Sequence, residues 1–143
     1  MHENFQIKNL EEYFKSYRKS VEYPNDFWEE IAEKNFIWRK KWKTIMSGNF
    51  QSTNIKWFEG AKLNITENCI DRHLNKQGDK TAIIFEPNNP DEKIEHISYK
   101  NLSKRVNKFA NILKQKGIKK GDRVCIYLPM IPELAISVLA CAR

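Results

Sequence analysis

Cysteine and glycine are sparse in this 143-residue sequence, with three and five copies. Cys69, Cys125 and Cys141 form no Cys-x-x-Cys pair, so neither a disulfide framework nor a zinc site is expected. Two of them lie within apolar runs, which predicts buried thiols that pack as small hydrophobes in a reducing compartment. The glycines form neither a Gly-x-Gly-x-x-Gly motif nor a phosphate-binding loop with lysine and serine or threonine. Classical dinucleotide and P-loop sites are therefore not expected.

Long apolar runs and clustered histidines are also missing. No run approaches the roughly 18 apolar residues of a membrane span, and the first residues contain no apolar signal region, which favours a cytoplasmic protein. His2, His73 and His96 are scattered, and nothing in their spacing suggests a shared metal. The sequence also contains no His-Glu-x-x-His motif and no nucleophile elbow. From the residues alone we expect no catalytic, cofactor-binding or metal residue in this chain.

The net charge is +7, from 25 lysines and arginines against 18 acidic residues. Apart from two dense basic patches, at residues 39–43 and 114–120, the surplus is interpreted as thinly spread over solvated helix faces and turns. An anionic partner such as nucleic acid is the alternative interpretation.

The C-terminal part predicts a helix, a tight turn, a strand and a second helix. Gly117 and the lysines before it end the first helix near Lys116. Val124–Leu128 is a continuous apolar run, typical of a strand inside a covered parallel sheet, and Pro129 ends it. Pro132 starts a second helix that is apolar almost all round and is therefore expected to be buried. The first helix has one apolar face, formed by Leu102, Val106, Phe109, Ala110 and Leu113.

Residues 6–50 predict two helices rich in aromatic side chains. Tyr23-Pro24-Asn25-Asp26 separates them, with Asp26 or Asn25 as the N-cap of the second helix, which is expected to continue through Trp42. The rings are interpreted as anchors that hold this segment on its own protein, with a partner surface as the alternative.

The middle of the chain predicts a short helix over residues 65–74, capped by Asn64 or Thr66. Asp71 and His73 lie two residues apart on this helix, so they do not face each other and make a poor acid–base pair. We interpret Asp71, Arg72 and His73 as hydrogen-bonding groups at a junction of elements. Strands over 81–86 and 94–98, separated by a polar turn, predict a hairpin.

Two stretches go beyond these patterns. The first, Trp57–Leu74, resembles the Trp-Phe/Tyr … Leu-Asn-x-x-x-Asn-Cys-x-Asp-Arg-His segment of AMP-forming acetyl-CoA synthetases. The second, Ile97–Arg143, contains Gly-Ile-Lys-Lys-Gly-Asp-Arg-Val and Tyr-Leu-Pro-Met-Ile-Pro-Glu, and it is similar to the next segment of that family. One departure is Asn101, where the family usually has a glutamate that completes a capping box, so the helix cap there should be weaker.

The resemblance implies an α/β protein in which a helical extension, residues 1–56, precedes the start of the mixed sheet of the adenylation domain, residues 57–143. It also implies a ligase that makes acetyl-CoA from acetate, ATP and CoA through acetyl-AMP, with Mg²⁺ neutralising phosphoryl charge. The family's catalytic and binding parts are expected beyond Arg143, so this part alone should be inactive and should depend on the rest of the domain. A propionyl-CoA synthetase and a nucleic-acid-binding module are the alternatives.

Overall fold

The computed structural model describes residues 7–49, 51 and 53–143. It divides into two compact units, the first ending at Leu63 and the second running from Asn64 to Arg143. Gln6 and Phe50, the ends of the predicted helical region, lie outside the described residues. The domain boundary expected between residues 56 and 57 stays a prediction, because it concerns the domains of a larger protein.

The first unit begins with two helices, α1 (Leu10–Glu22) and α2 (Pro24–Asn35). The Asn9 side chain caps α1 by accepting a hydrogen bond from the backbone N–H of Glu12 at 2.8 Å. The predicted N-cap of α2 at Asp26 or Asn25 is wrong, since Tyr23 holds that position without a side-chain hydrogen bond. Pro24 occupies the first turn because its fixed φ suits a helix and its missing N–H would have no intrahelical partner there.

The second predicted helix is too long, because α2 ends at Asn35. The chain then forms an antiparallel hairpin of β1 (Thr44–Ser47) and β2 (Lys56–Glu59), in which Met46 lies opposite Trp57. Aromatic packing accounts for the difference: the Trp38 ring lies 5.0 Å from the Trp42 ring and 5.3 Å from the Phe58 ring. These rings pack against a strand that is distant in sequence, which local periodicity does not reveal.

An ion-pair network connects α1 to α2. Glu30 accepts hydrogen bonds from Lys19 Nζ at 2.5 Å and from Lys34 Nζ at 2.7 Å. The hydrogen bond from Lys19, followed by the one from Lys34, lowers the pKa of the Glu30 carboxyl from 4.5 to about 2. Because the folded-state pKa lies below the ordinary value, this network contributes stability above about pH 4.5 and loses it as the pH falls toward 2.

We therefore expect the Glu30→Gln variant to show a weaker loss of thermal stability than the parent protein when the pH is lowered from above 4.5 to near 2. The measurement is tryptophan fluorescence during heating at a series of pH values, since all four tryptophans belong to the first unit. Glu22→Gln serves as the control, because it also removes one negative charge but does so in α1 and outside this network. Equal pH dependence in Glu30→Gln and the parent protein would contradict the prediction.

The second unit opens with a π-helical turn, Glu67–Asp71, that continues into α3 (Arg72–Gln77). The helix predicted over residues 65–74 is thus present, and it continues to Gln77. Asn64 is the observed cap, because its Oδ1 accepts hydrogen bonds from the backbone N–H and the hydroxyl of Thr66, at 2.9 and 2.7 Å.

The predicted hairpin is confirmed in the second unit. Strands β3 (Thr81–Phe85) and β4 (Glu95–Ser98) pair antiparallel, with Ile83 opposite Ile97. Ile97 points into the core with 1% of its surface exposed, whereas Ile84 on the other face is 64% exposed. Alternation of this kind is typical of a strand pair with one covered face.

Helix α4 (Tyr99–Gln115) forms as predicted and supplies three of the seven buried core residues of this unit. Ser98 caps it through a 3.3 Å hydrogen bond from the Asn101 N–H. At its other end Gly117 takes a φ of +87°, and Ile118 N–H bonds to the Leu113 carbonyl at 3.1 Å, as in a Schellman motif. The buried core residues of this unit are Ile70, Ile97, Leu102, Val106, Ala110, Ile136 and Ala140.

The strand predicted at Val124–Leu128 is not observed, since residues 122–129 have no regular secondary structure. A strand exists only when its backbone pairs with a neighbour, and none of the described residues supplies that neighbour. The run is accordingly exposed, most of all at Tyr127, which is 99% exposed.

Helix α5 (Pro132–Ala142) starts at Pro132 as predicted. The expectation that it is buried all round is wrong: Ile136 and Ala140 are buried, while Val138 is 52% exposed.

The prediction of buried cysteines is also wrong, because all three thiols are exposed and free. An apolar side chain is buried only where another element packs over it. Apolar residues next to it in sequence do not provide that cover. No helix among the described residues is long and apolar enough to cross a membrane.

Candidate functional site

A polar group in the second unit, called here the Asn64–Arg143 cluster, is formed by Asn64, Thr66, Asp71 and Arg143. Arg143 Nη2 donates to the two carboxylate oxygens of Asp71, at 3.2 and 3.0 Å. Arg143 Nη1 donates to the Thr66 hydroxyl at 3.3 Å, and Asn64 Nδ2 donates to the Arg143 carbonyl at 3.1 Å. The cluster therefore ties the π-helical turn to the end of α5.

The side chains that form these contacts are largely buried. The side chains of Arg143 and Asp71 keep only 23% and 29% of their surface exposed, and Thr66 is fully buried. A charge-assisted pair in such surroundings is screened less by solvent than a surface pair. Removal of one partner would leave the other charge half-buried without compensation.

Asp71 and His73 are not brought together as an acid and a base. Asp71 binds Arg143, whereas the His73 ring lies 5.0 Å from the Tyr99 ring. The interpretation of Asp71 as a hydrogen-bonding group at a junction of elements is confirmed. Its partner Arg143 was not predicted, because the two residues are 72 positions apart and no local pattern links them.

A groove of about 510 Å³ lies between α4 and α5. Its floor is apolar, and Arg105 on its rim pairs with Glu95 at 3.0 Å and also with Glu133. The groove is lined by Arg105, Lys108, Phe109, Ile112, Leu128, Glu133, Ile136 and Ser137.

The contacts of the Asn64–Arg143 cluster are internal, because the Arg143 guanidinium is already paired with the Asp71 carboxylate. Within residues 7–49, 51 and 53–143, no group of three or more His, Cys, Asp or Glu side chains could hold a metal ion. What the cluster does is fix the backbone where α5 ends.

Comparison with known families covers nearly the whole sequence. Residues 13–69 match the family model described as acetyl-coenzyme A synthetase N-terminus. Residues 70–143, more than half of the chain, match the model described as AMP-binding enzyme. The chain belongs to the AMP-binding enzyme family. The resemblance to AMP-forming acetyl-CoA synthetases is thereby confirmed.

Curated members of the family agree with this assignment. An acetyl-coenzyme A synthetase of Magnetococcus marinus is 55% identical over 137 residues, which cover 94% of this chain and 21% of that protein. Acetyl-coenzyme A synthetase 2 of Pseudomonas aeruginosa is 47% identical over 135 residues, again 94% of this chain and 21% of that protein. The chain thus spans about a fifth of the length of the curated relatives it matches. These matches do not favour a nucleic-acid-binding module.

A solved structure supports the fold. Acetoacetyl-CoA synthetase from Streptomyces lividans matches with a TM-score of 0.79 and 26% identity, over 87% of this chain and 19% of that one. The match confirms the predicted α/β class for this member of the AMP-binding enzyme family.

Proposed function

We propose that this chain is the N-terminal part of an acetyl-CoA synthetase that makes acetyl-CoA from acetate, ATP and CoA. The observation that carries the proposal is the level of identity, 47–55% over more than nine-tenths of the chain, to proteins named acetyl-coenzyme A synthetase. A propionyl-CoA synthetase of the same family is the nearest alternative.

In the whole protein, a carboxylate oxygen of acetate attacks the α-phosphate of ATP, which gives acetyl-AMP and releases pyrophosphate. The CoA thiol then attacks the acetyl carbonyl and displaces AMP. Mg²⁺, when bound, would neutralise charge at the phosphates, and the rate gain would come from positioning and electrostatics. We assign none of these steps to a residue of this chain. The half-buried Arg143, for example, is already paired with Asp71.

The proposed role of the chain is structural. Residues 1–56 form the helical extension, and residues 57–143 begin the adenylation domain in the cytoplasm, with no membrane or nucleic acid as partner. The exposed apolar segment at Val124–Leu128 and the exposed Val138 supply the surface that the rest of the adenylation domain would cover. The Asn64–Arg143 cluster would hold the end of α5 in place for that contact.

A chimera tests the proposal. The matching residues of the Magnetococcus marinus acetyl-coenzyme A synthetase are replaced by this chain, and acetate-dependent exchange of pyrophosphate into ATP is measured. We expect exchange within about tenfold of the unmodified enzyme, a change of about 1.4 kcal/mol in transition-state stabilisation. The same enzyme with those residues deleted is the control and should be inactive.

Two results would contradict the proposal. A chimera that folds but gives no acetate-dependent exchange would show that the chain does not fit such an enzyme. Exchange by the purified 143-residue chain alone would show that it carries catalytic groups, against the structural role assigned to it.

A further inference from the structure

One segment of this chain has a net charge equal to that of the whole chain. Residues 104–123, called here the basic segment, contain eight lysines and arginines and a single acidic residue, Asp122. This segment therefore accounts for the entire net charge of +7, and the rest of the chain is balanced. The expectation that the surplus is thinly spread does not hold once the charges are summed by segment.

Among the described residues, most of these cations have no partner of opposite charge. Arg105 is the exception and pairs with Glu95 and Glu133. In the part of the chain that the structure describes, no ion pair is formed by the other seven, all of which are exposed: Lys104, Lys108, Lys114, Lys116, Lys119, Lys120 and Arg123. Some lysines elsewhere in the chain are paired, as Lys19 is with Glu30 and Lys41 with Glu33.

The basic segment has a defined structure, formed by part of α4 and the turn that follows it. Lys104 and Lys108 are neighbours at i and i+4 on the face of α4 opposite the buried Val106. In the turn that follows, the Asp122 carboxylate accepts a 2.7 Å hydrogen bond from the Lys119 N–H. Gly121 completes this turn with a φ of +98°. Lys104 and Lys108 are thus displayed on one helix face, and Lys119 and Lys120 in an ordered turn.

Aliphatic side chains lie among the cations. Ile112 is 40% exposed and Ile118 is 37% exposed, and Ile112 also lines the groove between α4 and α5. The one aromatic ring of the segment, Phe109, packs against the core. Single-stranded nucleic acids are bound through phosphate contacts together with stacking of bases on exposed aromatic rings. Cations mixed with aliphatic groups instead complement a polypeptide that carries both carboxylates and aliphatic side chains.

We propose that the basic segment docks an acidic segment of another protein, one that carries aliphatic side chains among its glutamates and aspartates. Carboxylates contact the lysines of α4 and of the turn, and aliphatic side chains contact Ile112 and Ile118. This inference does not depend on the proposed enzymatic function, because it concerns only the described residues of the chain.

Fluorescence anisotropy tests the proposal with the 143-residue chain and a short labelled peptide of glutamate and leucine. We expect saturable binding that weakens as salt is raised, since the contacts are exposed charge pairs. The Lys119→Gln/Lys120→Gln variant should bind roughly threefold to tenfold more weakly, because each exposed pair contributes up to about 1 kcal/mol. Lys76→Gln/Lys93→Gln removes the same two charges from exposed positions outside the segment and should leave binding unchanged.

Further binding measurements identify the kind of partner. Ile118→Ser should weaken binding of the glutamate–leucine peptide but not of an all-glutamate peptide of the same length. A DNA duplex and vesicles of phosphatidylserine and phosphatidylcholine are the rival probes, and tighter binding of either would overturn the proposal. Equal losses in the Lys119/Lys120 and Lys76/Lys93 variants, or no binding of the peptide at all, would overturn it too. Circular dichroism establishes that each variant is folded.

Discussion

Replacing Ile70 with alanine should lower the free energy of unfolding of the second unit by about 2–5 kcal/mol. The Ile70 side chain is fully buried and belongs to the cluster formed with Ile97, Leu102 and Val106. Its truncation removes apolar contacts and leaves a cavity beneath α4, and both effects favour the unfolded state. The measurement is urea denaturation followed by circular dichroism, together with hydrogen exchange of the α4 amides.

Ile84→Ala is the matched control for this prediction. It makes the same chemical change in the same unit, but at a position that is 64% exposed, so the expected loss is within about 0.5 kcal/mol. Comparable losses for Ile70→Ala and Ile84→Ala would show that this buried cluster does not stabilise the second unit.

Replacing Gly48 with alanine should destabilise the first unit by about 2–4 kcal/mol. Gly48 has a φ of +85°, and a Cβ atom there would lie 1.8 Å from the backbone carbonyl oxygen of Asn54. No rotamer change relieves a contact between a Cβ and the backbone, so the connection between β1 and β2 would have to move. Tryptophan fluorescence during urea denaturation reports the effect, because the Trp38, Trp42 and Trp57 rings belong to the unit.

Gly60→Ala separates the clash from the cost of the backbone conformation. Gly60 has a similar φ of +79° at the other end of β2, but the nearest atom to its added Cβ would be Lys43 Cγ at an ordinary 3.6 Å. This variant should lose only about 1 kcal/mol, the cost of a left-handed conformation for alanine. If both variants lose the same amount, the clash at Asn54 does not contribute and the prediction is wrong.

Local signals predicted the elements whose cause lies within a few residues. The apolar spacing of α4, its end at Gly117 and the start of α5 at Pro132 are all observed. The same holds for the hairpin of β3 and β4, whose strands are close in sequence. In each case the residues that determine the element are contained in it or directly adjacent to it.

Errors occurred where the cause is distant. The aromatic residues after Asn35 have a spacing that also fits a helix, and only their packing against Phe58 shows that β1 and β2 pair instead. The run at Val124–Leu128 has the composition of a buried strand, yet it has no regular structure where no neighbour pairs with it. Exposure of Cys125 and Cys141 has the same origin, because burial depends on what lies opposite a side chain.

By itself the sequence determined the family, the helices with clear period and caps, and the accumulation of positive charge over residues 104–123, because each of these depends on residue types and short spacings. Only the tertiary structure decided that Asp71 binds Arg143, that β1 and β2 form a hairpin and that four of the five apolar residues 124–128 remain exposed. The physical reason is that each of these features depends on two partners. The second partner lies far away in sequence, so a short stretch does not reveal it.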